Sequence, residues 1–156
     1  MSCGDLDEQG VRRLFSDAGR NAHTAALVLR DLIGNPERSD LAEALRAREH
    51  DGDRLTHDAI HGLARLRSRL TTIDAGDAYR LAGAIDDIVD DTDEAGDMLV
   101  LYRIEAPMEQ AVRLADVLVL ATSQVADALA AFAVDREITE ELDLEFRDSR
   151  GLSAWS

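Results

Sequence analysis

The sequence predicts an all-helical fold, an antiparallel bundle of long helices, and three observations carry that prediction. Leucine and alanine dominate the apolar residues while aromatics make up only 4% of the chain, prolines are confined to Pro36 and Pro107, and no run of β-branched residues alternates with period two. With 156 residues, 46% of them hydrophobic, the chain can bury a core of ordinary size.

The first helix is expected from about Asp7 to Ile33. Val11, Leu14, Phe15, Ala18, Ala22, Ala25, Ala26, Leu29 and Leu32 recur on one face at helical spacing. Gly34-Asn35-Pro36 should stop it, because glycine and asparagine tolerate a left-handed cap and proline cannot continue the helix. Ser39 or Asp40 then caps a second helix reaching Leu70, with Leu41, Leu45, Leu55, Ala59, Leu63, Leu66 and Leu70 as its stripe. A turn over Thr71-Thr72-Ile73-Asp74 leads, with Asp74 as N-cap, into a third helix ending near Ile104. Ala106-Pro107 breaks the chain once more, and proline suits the first turn of a fourth helix reaching Val134. Residues 7–134 are thus expected to form the bundle. The tail, 135–156, is more polar and should hold a short helix around Ile138 to Phe146. Val117-Leu118-Val119-Leu120-Ala121 is apolar, but Asp116 and Asp127 bound it short of the roughly 18 apolar residues of a membrane span. A buried bundle helix, with no direct membrane insertion, is the expectation.

The chain carries 32 acidic residues against 17 basic ones, every base an arginine, for a formal net charge of −15. So negative a surface repels phosphates and excludes nucleic acid as a partner; it also argues against docking on anionic lipid. What it attracts is cations. Cys3 is the single cysteine, so no internal disulfide can form, and no basic-plus-apolar leader precedes the first helix; both predict a cytoplasmic protein.

Part of the acidity is organised. On the third helix Asp86, Asp90, Asp93 and Asp97 follow i, i+4, i+7, i+11 and fall within a sector of roughly 60°. Leu81, Ile85, Ile88 and Leu99 form a separate apolar line, which places the acids near the edge of the core. Like charges at i, i+4 destabilise a helix, and no arginine lies between Asp86 and Asp97, so neutralisation must come from outside this helix. The second helix offers a matching line in Glu49, Asp53 and His57, which His61 continues toward solvent. Carboxylates with an occasional imidazole, projected from facing helices, are how bundles build metal sites. Carboxylate oxygens suit magnesium, calcium, manganese or iron, and an imidazole shifts the balance toward iron, manganese or zinc. The competing reading is a solvated acidic face. His57 and His61 could hold zinc from one helix face but lack the intervening glutamate of a metalloprotease, and His23 and His50 read as ordinary surface or boundary histidines. No phosphate loop, nucleophile elbow or Cys/His pairing points to catalysis.

Three segments together resemble the PhoU-like family of phosphate-transport accessory proteins, in the branch associated with Pit-type inorganic phosphate transporters. Residues 49–58 (EHDGDRLTHD) resemble its first Glu-x-x-x-Asp helix, residues 72–77 (TIDAGD) the following turn, and residues 81–90 (LAGAIDDIVD) with Leu99-Val100-Leu101-Tyr102 its Asp-x-x-x-Asp helix. The resemblance spans about residues 10–133. It implies a PhoU-like three-helix bundle plus a fourth helix, a metal (iron, manganese, zinc or magnesium), and a regulatory, non-enzymatic role at the cytoplasmic face of a phosphate transporter. Glu49, Asp53, Asp86 and Asp90 are the implied ligands, with Asp93 and His57 at matching positions. The turn's usual proline is Thr72 here. Family members continue into a second bundle, for which Glu145-Phe146-Arg147-Asp148-Ser149 would be a remnant. Without that second bundle, Val112, Val117, Leu120, Val125 and Leu129 would be partly exposed and drive formation of a homo-oligomer. A metal-dependent enzyme with a di-metal carboxylate site and a purely structural or truncated bundle are the alternatives.

Overall fold

The computed structural model describes residues 7–66, 73–106 and 109–151, and from 135 onward the course of the helix alone. Four helices follow one another: α1 Glu8–Gly34, α2 Ser39–Leu66, α3 Ala75–Leu101 and α4 Glu109–Gly151. The all-α class is as the periodicity predicts. The expected end at Leu70, the Thr71-Thr72 turn and Pro107 lie outside the described residues.

Local chemistry sets the helix ends. Asp7 and Asp74 are N-caps, their carboxylates accepting from the backbone N–H of Gly10 at 2.7 Å and Gly76 at 2.8 Å. After Gly34 the expected left-handed cap does not form, since Asn35 has φ −141°. Instead the Asn35 N–H donates to Leu32 O at 3.1 Å and its side-chain amide to Asp31 O at 2.9 Å. The left-handed position falls at Arg103, φ 50°, just past α3, which ends at Leu101 rather than near Ile104. The N–H groups of Arg103 and Ile104 close back on Val100 and Leu99. An L side chain pays for that conformation and glycine does not, so Arg103→Gly is expected to raise stability by about 0.5 kcal/mol in chemical denaturation.

The four helices run antiparallel in succession, with α1, α2 and α3 packed against one another. α4 lies on α1 without a close backbone approach to α2 or α3 among the described residues. Phe15, Leu32, Leu45, Leu63, Val11 and Val89 are the largest fully buried side chains. Of the predicted α1 stripe only Leu14 is not fully buried. A buried arginine that the apolar pattern does not disclose fastens α1 to α4. Arg12 is 3% exposed; its guanidinium donates to Phe132 O at 2.8 Å, lies 4.4 Å from the Phe132 ring centre and pairs with Glu8.

α4 departs from expectation in two ways. It continues unbroken past Val134 to Gly151, because residues 109–150 contain neither proline nor glycine and a polar composition is not a stop signal. Its apolar part, Glu109–Val134, is moreover long and apolar enough by length and composition to cross a membrane, with 22% of its most apolar stretch buried. The bounding acids Asp116 and Asp127 do not remove that property. In the fold, this stretch packs Ala115, Thr122, Ala126, Leu129 and Ala133 inward. His23 meets Thr122 across the same contact at 3.2 Å.

Candidate metal centre

The two acidic lines meet where α2 and α3 cross antiparallel. Two glycines permit the close approach. A Cβ on Gly52 would meet Val89 Cγ1 at 3.5 Å and Asn21 Nδ2 at 3.3 Å, and one on Gly96 would meet Leu45 Cδ2 at 2.4 Å. Asn21 spans the same layer, donating to Arg48 O at 2.7 Å. Along this seam Arg46 faces Asp97, Gly52 faces Val89, and Glu49 and Asp53 face Asp90.

Glu49, Asp53 and Asp90 each place one carboxylate oxygen within 4.8 Å of the others. Three atoms so spaced lie at most about 2.8 Å from a common centre. Calcium, which takes oxygens at roughly 2.3–2.6 Å, needs little closure, and magnesium at about 2.0–2.1 Å needs several tenths of an ångström more. Asp53 and Asp90 are exposed and Glu49 is half-buried, so water can complete a coordination sphere.

Asp86 and Asp93 flank the group. Asp86 Oδ1 is buried without a hydrogen-bond partner. Burial first, and then the negative charges of Asp53, Asp87 and Glu49, push the Asp86 carboxyl above the ordinary aspartate range, with a hydrogen bond from Thr56 pulling the other way. Asp90 is raised by burial and then by Asp86, Asp53, Glu49 and Asp87. Asp93 is raised by burial, Asp97 and Glu49, against the opposing pull of Arg46 and His50.

The neutralisation expected from outside α3 is therefore supplied over half the line only. Arg46 of α2 binds Asp97 at 2.6 Å and moderates Asp93. Arg48 and Arg54, the bases nearest the other half, both turn to Asp51, each at 3.0 Å. No arginine pairs with Glu49, Asp53, Asp86 or Asp90 among the described residues. Glu49 has a different neighbour: His50, though 79% exposed, shares a hydrogen bond with its carboxylate and so holds that oxygen pair in place. The adjacency of Glu49 and His50 in sequence was the available signal for this contact.

His57 is not brought to the carboxylates. Its ring is exposed and stacks at 4.3 Å, tilted 46°, on His61 one turn further along α2. The donors that converge among the described residues are all carboxylate oxygens, a set that fits hard divalent cations. Comparison of the chain with family models, curated proteins and solved structures finds no match in any of the three.

Proposed function

We propose that the chain is a non-enzymatic, cation-binding helical bundle that acts as an accessory to inorganic phosphate transport, at the cytoplasmic face of a transporter. The observation that carries the cation reading is the convergence of Glu49, Asp53 and Asp90 within 4.8 Å, beside a buried and unpartnered oxygen of Asp86. Such a group repels itself, and among the described residues no arginine pairs with any of its members. Manganese, magnesium or calcium is the fitting class, held by Glu49, Asp53 and Asp90 with Asp86 next to them. The phosphate-transport reading rests on the ordered Glu-x-x-x-Asp and Asp-x-x-x-Asp motifs and their PhoU-like spacing.

The cation reading is tested by calorimetric titration of metal-free protein with Mn²⁺, Mg²⁺ and Ca²⁺. Asp53→Asn with Asp90→Asn is expected to weaken the best of these by at least tenfold while leaving the helical spectrum unchanged. No heat and no rise in melting temperature with any of the three ions would overturn it. The transport reading has its own readout, the rate of phosphate uptake by cells lacking the gene. Uptake should change and be restored by the wild-type chain but not by the double variant.

A further inference from the structure

Beyond the carboxylates, α2 presents a pair of nitrogen donors. His57 and His61 stand at i and i+4 of one helix, so they lie on the same face one turn apart, and both are exposed. Their rings are in contact, with centroids 4.3 Å apart and planes tilted by 46°. The other two histidines each have a ring nitrogen engaged: His23 meets Thr122 at 3.2 Å, and His50 meets the Glu49 carboxylate. His57 and His61 make no hydrogen bond or ion pair among the described residues, so their ring nitrogens are uncommitted. Asp53 and Asp58 lie beside His57 along the chain, and Arg54 is already held by Asp51 at 3.0 Å, so a cation is not repelled from this face.

We propose that His57 and His61 together chelate a divalent nickel or copper ion, at a site separate from the carboxylate centre. Imidazole suits zinc, copper, iron and nickel, whereas magnesium and calcium take oxygens. The spacing of the rings chooses among the first group. A metal lies about 2.0–2.1 Å from an imidazole nitrogen, hence about 3.2 Å from the ring centre. Two rings at 90° about one ion then have centroids about 4.5 Å apart, and two at the tetrahedral angle about 5.2 Å. The observed 4.3 Å is within a few tenths of an ångström of the first value and about 0.9 Å short of the second. A right angle belongs to the square-planar and tetragonal complexes of copper and nickel, whereas zinc takes the tetrahedral one. The helix holds the two Cβ atoms about 5–6 Å apart, so turning the exposed rings is enough to aim both nitrogens at one ion. Water can fill the remaining positions. The converging carboxylates end at Asp53, one turn before His57, so α2 carries a hard oxygen set and a softer nitrogen pair in succession.

The test is calorimetric titration of the untagged full chain with Ni²⁺. The background is Asp53→Asn, Asp90→Asn and Cys3→Ser, which removes the carboxylate centre and the thiolate and makes the result independent of the cation reading above. If that background does not fold, Cys3→Ser alone in excess Ca²⁺ takes its place. One Ni²⁺ per chain is expected, and Cu²⁺ should bind more tightly. His61→Phe keeps a ring against His57 but offers no nitrogen, and should weaken Ni²⁺ binding at least tenfold with helix content unchanged. His57→Phe should do the same, while His50→Gln leaves binding as it was. Undiminished Ni²⁺ binding by either phenylalanine variant, an equal loss in His50→Gln, tighter binding of Zn²⁺ than of Ni²⁺, or no Ni²⁺ bound at millimolar concentration would each overturn the proposal.

Discussion

Gly96→Ala is expected to destabilise the protein by about 1–3 kcal/mol, while the same change at Gly83, on the same helix, stabilises it by about 0.5–1 kcal/mol. Both glycines sit inside α3, where alanine is intrinsically the better helix former. At Gly83 nothing lies within 4 Å of the added methyl, so only the propensity gain remains. At Gly96 the methyl arrives 2.4 Å from Leu45 Cδ2, with Leu32 Cδ2 at 3.5 Å behind it. Leu45 is 1% exposed and Leu32 fully buried, so neither has free space to turn into. The remaining way out is to push α2 from α3. That also parts Glu49 from Asp90 one turn along the seam, so Gly96→Ala should weaken cation binding while Gly83→Ala leaves it unchanged. The pair is measured by thermal unfolding at pH 7, where roughly 2–4 °C in melting temperature accompanies each kcal/mol. Equal and favourable shifts at both positions would show that α2 and α3 do not depend on the glycine for their spacing.

Much of this arrangement was legible before any coordinates, and the reasons it was not all legible are physical. Periodicity locates a helix and its inner face, hence the α1 stripe and the Asp74 cap. Spacing also places Glu49 with Asp53 and Asp86 with Asp90 on two single lines. A line on one helix, however, does not say which part of it a crossing helix meets. The seam brings α2 and α3 together at Glu49 and Asp53, and His57, one turn beyond, stacks on His61 instead. The Arg46–Asp97 pair joins residues 51 positions apart and needs the register between two helices, which Gly52 and Gly96 help to fix. Polarity after Val134 does not end α4, because the first glycine beyond that point is Gly151. The exposure of α4 was foreseen in kind and misassigned in detail. Which of its apolar residues face out depends on α1 being its sole close neighbour, a matter of packing rather than of pattern.

Without a cation, the α2–α3 carboxylates should oppose folding less as the pH falls from neutral toward the ordinary aspartate range of about 3.9. Asp86, Asp90 and Asp93 all have folded-state values raised first by partial burial and then by neighbouring carboxylates, Glu49 among them in each case. An acid raised on folding disfavours its charged form in the native state. Its stabilising contribution is therefore fully present below the ordinary aspartate value of about 3.9 and is lost as pH rises through the raised folded value. At neutral pH the cluster thus works against the fold. Asp40, lowered by its bond to Arg38, acts in the opposite sense, but only at pH below the ordinary aspartate range and from a fully exposed position. A bound cation removes the penalty: at a hundred times its dissociation constant it adds about 2.7 kcal/mol at pH 7, and it adds less as the pH nears the ordinary aspartate range, where protons compete for the same oxygens. Relief of the overall charge of −15 would also stabilise the acidified protein, so the decisive comparison is with Asp90→Asn. That variant should melt higher than wild type in EDTA at pH 7, change less as the pH falls toward the ordinary aspartate range, and fail to respond to Mn²⁺. If its pH profile parallels that of the wild type, the repulsion belongs to the surface as a whole, and the three carboxylates at the α2–α3 seam are not its source.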